Sequence, residues 1–146
     1  MISSKQVVEA LEAWAADVTD CTAYGEQPEQ FNDAFPFVTA RIVREEEYAE
    51  GQDFPEQQYQ QLRVEDFNIE ITVLVDPEPQ WDAHEPLYEI VDALKAALRD
   101  DETLGGRVQQ ASRRYLVNYP GEAQLSDGTR ALIARMRFSV AQVVEA

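Results

Sequence analysis

Cysteine and histidine each occur once in this 146-residue chain, as Cys21 and His84. Together they set the outer limit of any nucleophilic chemistry. A Cys/His site also needs a third group that orients the imidazole and a helix terminus or oxyanion donor. Neither neighbourhood supplies these, so Cys21 reads as a small core residue and His84 as the residue where a helix begins. One of each excludes a His/Cys zinc set and an internal disulfide. Carboxylates are abundant, 28 acids against 12 bases for a net charge of -16, and six of them with no base lie between Glu45 and Glu56. A calcium loop, however, requires alternating Asp/Asn ligands, a turn glycine and a closing Glu at fixed offsets. That register is missing here. Paired carboxylates for glycoside hydrolysis come with no accompanying pocket signature. Gly105-Gly106 lacks the lysine of a phosphate loop and precedes a strand pattern, not a helix. The expectation is a protein with no catalytic residue, no cofactor and no metal.

Two charged groups remain as candidate binding surfaces. The first is the acidic segment 45–60, in which Glu45, Glu46 and Glu47 are followed by Tyr48, Phe54 and Tyr59. A connection this long between hairpin strands is unusual unless functional or disordered. It reads either as an arm that orders against a partner or as a solvated hairpin tip. The second is a basic patch, Arg135 and Arg137 on the outward parity of the last strand with Arg113 and Arg114 on its neighbour. Such arginines either keep an edge soluble or dock an acidic surface of an adjacent copy. Residues 1–100 hold 23 acids and 6 bases, a net of -17, whereas residues 101–146 hold 5 acids and 6 bases, a net of +1. This asymmetry suits head-to-tail assembly.

The same balance argues against nucleic acid as a ligand, because phosphate binding depends on Lys and Arg. Ten of the bases are Arg and only Lys5 and Lys95 are lysines, which fits a GC-rich genome or a salt-rich setting. No run of 18 apolar residues exists, and acids interrupt the amino-terminal segment where a signal-peptide core would lie. A soluble protein made in the cytoplasm, with no membrane partner, is expected.

The elements that must position these groups follow from hydrophobic period. Phe67, Ile69, Ile71, Val73 and Val75 fall on every second residue, the mark of a central strand with one face in a core. Asn68, Glu70 and Thr72 on its other face read as solvated or partnered, so helices should cover one side only. A helix is predicted from about Ser4 to Val18, laying Trp14 against the sheet. A connector, Thr19 to Ala34, has room for a short strand around Cys21 to Tyr24. Phe35 to Arg44 reads as a strand with Val38, Ala40 and Ile42 inward. Leu62 to Asp76 is the next, and the parity of Leu62 and Val64 predicts a bulge near Glu65 and Asp66. Part of this long strand should project from the body. Asp-Pro-Glu-Pro at 76–79 ends it. A second helix takes Pro86 in its first turn and Leu87, Ile90, Val91, Leu94 and Leu98 as its stripe. Val108 to Tyr119 and Arg130 to Val144 give the last two strands, with a turn flanked by Pro120-Gly121 and Ser126 to Gly128. The expected fold is a single α+β domain spanning residues 1–146. It has a largely antiparallel four- to five-stranded sheet, two helices on one face, the order α-β-β-α-β-β and a projecting acidic loop at about 45–60.

This succession resembles the tail terminator proteins of long-tailed phages. The likeness lies in an early amphipathic helix and a long strand pair with an extended loop. It continues through a second helix of the type Leu87-Tyr-Glu-Ile-Val-Asp-Ala-Leu-Lys-Ala-Ala-Leu98, a Gly-containing turn and a closing strand Arg130-Ala-Leu-Ile-Ala-Arg-Met-Arg-Phe-Ser-Val140. The resemblance implies a virion protein of the tail or neck with no catalytic residues. About six copies would form a ring that caps the major tail tube protein on one side and meets a head-completion or connector protein on the other. DNA would pass through without being specifically bound, helped by a negative lumen. Ring and tube contacts would come from sheet edges and the loop from Glu45 to Gln60. Another neck or head-tail joining protein, or a small monomeric enzyme or binding module, are the alternatives.

Overall fold

The computed structural model describes residues 4–23, 35–50, 62–77, 84–125 and 128–145. The elements in chain order are α1 (Ser4–Thr19), β1 (Thr22–Ala23), β2 (Phe37–Glu50), β3 (Leu62–Val75), α2 (His84–Asp100), β4 (Gln110–Gln124) and β5 (Arg130–Glu145). Among the described residues they form an α+β fold with two helices and a mostly antiparallel sheet in the order β1-β2-β3-β5-β4, in which the two-residue β1 runs parallel to its neighbour and the other pairings are antiparallel. The expected order α-β-β-α-β-β is therefore corrected to α-β-β-β-α-β-β. The difference is β1, where Thr22 and Ala23 pair with Phe37 and Val38 as the chain leaves α1.

Period explains which side chains go inside. α1 buries Val7, Leu11, Trp14 and Ala15 at spacings of three and four, and α2 buries Leu87, Val91, Leu94 and Leu98 in the same way. Both stripes meet one sheet face, made by Val38 and Ala40 of β2, Phe67 to Val75 at alternate positions of β3, and Leu132 to Val140 at alternate positions of β5. Trp14 lies edge-on to Phe138 with ring centroids 6.0 Å apart. Beyond α2, the Asp101 carboxylate accepts from the Thr103 N–H and hydroxyl and from the Gly105 N–H. The turn it holds drops Leu104 fully into the core.

Three readings of the chain are corrected by the ladders. The expected bulge at Glu65 and Asp66 is absent, since β3 pairs with β5 without interruption from Leu62 to Val75. The register shift lies on β2 instead, between Ile42 and Arg44, with Val43 as the extra residue. β4 does not stop at Tyr119 but continues to Gln124, taking Pro120 and Gly121 through a second shift. It is an edge strand, where a proline need sacrifice no ladder bond. Finally, Glu45, Glu46, Glu47 and Tyr48 are not in a loop. They belong to β2 and pair with Phe67, Asp66, Glu65 and Val64, while 51–61, including Phe54 and Tyr59, lie outside the described residues.

The strands outrun the helix beside them. Fourteen residues of β2 extend about 46 Å at roughly 3.3 Å per residue, whereas the sixteen residues of α1 extend about 24 Å. The end of α1 lies by Phe37 through β1, and its beginning reaches Glu45, whose carboxylate accepts from the Ser4 hydroxyl. The outer ribbon, Glu46 onward on β2 with its partners on β3 and β5, continues past α1. Ile71, fully buried on the central strand, should cost about 3 kcal/mol when cut to Ala. Val43, 41% exposed at the bulge, should cost about 0.5 kcal/mol or less. Urea unfolding of the two variants measures the difference.

Candidate functional site

The face of the sheet turned away from the helices is not uniform. At one end Phe37, Leu74, Ala131 and Ile133 form a second small core, covered by Phe35, Ala123 and Leu125. Sequence parity leaves this face solvated or partnered, and at this end the chain before β2 and the end of β4 close over it. Farther along β3 the same parity presents Thr72, Glu70, Asn68 and Asp66.

Glu70 is the centre of the arrangement. Its direct ladder partners are Arg41 on β2 and Arg137 on β5. Arg41 Nε donates to Glu70 Oε1 at 2.8 Å and Arg137 Nε to Oε2 at 2.8 Å. Arg135, two residues along β5, brings its Nε to 3.9 Å from Oε1. The Glu70 side chain is only 2% exposed, against 64%, 44% and 48% for Arg41, Arg135 and Arg137. The arginines thus shield the carboxylate from water while keeping much of their own surface in it. Burial alone would raise the carboxyl pKa of Glu70. The hydrogen bonds from Arg41 and Arg137, and their charges, outweigh that and hold it below the usual glutamate range.

Three guanidinium groups around one carboxylate leave a local charge of +2 on a chain of net -16. Because Arg41 and Arg137 use Nε on Glu70, their terminal nitrogens remain as donors. Among the described residues no further acceptor meets them. A guanidinium fixed in this way is a preorganised donor for carboxylate or phosphate oxygens. The next row along holds Asn68, whose Oδ1 accepts from the Ser139 hydroxyl at 3.0 Å. After it, Glu46 stands directly opposite Asp66, with Arg44 Nη2 3.8 Å from the Glu46 carboxylate.

Of the residues read from sequence as a basic patch, Arg135 and Arg137 are brought together, and Arg41 and Glu70 complete the group unforeseen. Arg114 is exposed at a register shift of β4, its N–H donating to the Ser112 hydroxyl at 3.0 Å, and it does not join the arginines around Glu70. Arg113 lies on the same strand, its side chain outside the described set. Glu45, Glu46 and Glu47 are exposed on β2, and the side chain of Tyr48 is outside the description.

Other features are less suited to chemistry. An open groove of about 550 Å³ along α1 is lined by Glu9, Glu12, Asp17, Asp20 and Cys21 among others. Two of its acids are already engaged. Glu12 accepts from the Ala40 N–H and the Thr39 hydroxyl, covering the edge of β2 beyond β1, and Asp17 pairs with Arg107 at 2.6 Å. Burial pushes the Cys21 thiol up, away from the thiolate a nucleophile needs. His84 is the first residue of α2. Among the described residues no group of three His, Cys, Asp or Glu is arranged to hold a metal, and no helix is long and apolar enough to cross a membrane. Tyr88 and Tyr119 form an exposed edge-to-face pair between α2 and β4, with centroids 5.2 Å apart. No protein-family model matches the chain, and no curated protein matches it.

Replacing Glu70 by Gln leaves the three arginines without their counter-charge, and should cost about 2 to 3 kcal/mol at neutral pH. The folded pKa of Glu70 is depressed. Its contribution is therefore fully present above the unfolded value of about 4.3 and fades as pH falls through the folded one. Urea unfolding at neutral pH and at about pH 3 should show the gap between wild type and Glu70→Gln shrinking in acid.

Proposed function

We propose that the protein is a structural subunit of a viral tail, of the terminator kind, whose copies close into a ring of about six. One face of the ring ends the tail tube and the other receives the head-completion or connector protein, with a channel left for DNA. The observation that carries this reading is the pair of unlike surfaces on one chain. An acid-bearing ribbon continues past α1, and the helix-free sheet face carries three half-exposed arginines. A ring built from heterologous contacts needs two such surfaces, different from one another and complementary. The net charge of -16 serves a conduit in the same way, because duplex phosphates do not adhere to an acidic wall. No step of this function requires a reaction, a cofactor or a metal.

The test is the state of the purified protein across salt concentrations, by light scattering with negative-stain imaging. Closed rings of about six copies are expected. A monomer at every salt and protein concentration overturns the reading.

A further inference from the structure

We infer that the arginine cluster around Glu70 is the seat for the acidic outer ribbon of a second copy of this chain. The inference rests on the self-assembly reading above and names the contact that would close it. On the receiving side, Glu70 fixes Arg41 and Arg137 through Nε at 2.8 Å each. Their terminal nitrogens are left over as donors and meet no acceptor among the described residues. Glu70 is a positioning residue here, since it sets the geometry of the donors and is itself shielded at 2% exposure. The site's excess charge of two calls for an anion with more than one carboxylate.

The donating side is on the same chain. Glu46 and Asp66 stand opposite each other across the β2–β3 ladder on the helix-free face. Like charges in that relation repel and destabilise the pair. Arg44 lies 3.8 Å from Glu46, an exposed contact that offsets little. These acids cannot reach their own arginine cluster. Asp66 is four residues along β3 from Glu70, about 13 Å at strand rise, and the two sit in one sheet. A neighbouring copy's ribbon laid across the arginine face brings a divalent acidic row to a doubly positive one, and relieves both at once.

Nucleic acid is the weaker occupant. Phosphate binding gains by neutralising many successive charges, and here three arginines stand on a chain with 28 acids. A copy of the chain supplies the complementary charge at a fixed spacing.

The experiment compares self-association by sedimentation velocity at low salt for wild type, Glu46→Arg, Arg135→Glu and the two changes combined in one chain. Glu46 does not touch Glu70, so its variant keeps the cluster intact, and thermal melts by circular dichroism confirm folding of all four. Each single reversal should weaken association about tenfold or more, and the combined chain should recover to within about threefold of wild type, as a direct charge pair requires. Wild type assembling into rings while both single variants assemble equally well overturns this contact and leaves the ring standing. A wild type that never associates removes both. A short DNA duplex that binds wild type and is lost on Arg135→Glu, with oligomer size unchanged, overturns the inference in favour of phosphate.

Discussion

Two ladders meet on β3, and their registers decide everything that faces either way from it. With β5 the pairing is unbroken over fourteen residues, and with β2 it is unbroken up to Ile42. In that register Ile69, Ile71 and Val73 share one face with Val38, Ala40, Ala134, Met136 and Phe138, and all are buried under the helices. The other face of the same register brings Arg41 and Arg137 beside Glu70. A slip of one residue would turn the apolar set into water and bury the arginines. Core and charged cluster are therefore two readouts of one constraint, and the hydrophobic face is what enforces it.

That coupling also gives the buried carboxylate a place in the energetics. A charge withdrawn from water is costly unless its lone pairs are met. Glu70 has both oxygens engaged by Nε donors. The arginines lose little solvation because they remain half exposed. The pairing thus resembles neither a surface ion pair of small consequence nor a fully buried one whose desolvation cancels its attraction. It stands in the middle of the helix-free sheet face, at the point where the small apolar core of Phe37, Leu74 and Ile133 gives way to polar rows.

Where helices cover the sheet, the sequence was a reliable guide. The alternation of β3, the outward parity of Arg135 and Arg137 on β5, the inward parity of Val38 and Ala40, the apolar stripe of α2 and the placement of Trp14 are found as the period predicts. Past the helices the guide fails, because neither face of the ribbon is dictated by a core. Val64, buried on the parity opposite Phe67, looked like a sign of irregularity in β3 for that reason. The acid run after Arg44 looked like loop, yet pairing with β3 keeps it extended. Pro120 and Gly121 looked like a turn, and an edge position lets the strand pass through them. Glu70 was visible only as an outward residue. Finding its arginines needed the register of two ladders, and the shift at Val43 has no residue type that announces it.

That shift acts as a change of phase. Before Val43 the even-numbered side chains of β2 meet the helices, and after it the odd-numbered ones take that side, so that Glu45 reaches Ser4 while Glu46 looks the opposite way. One additional residue thereby uncouples the two halves of the strand. The inner half is held by packing, and the outer half is free to carry whichever pattern of charge its surroundings select, with a single insertion or deletion enough to exchange its two sides.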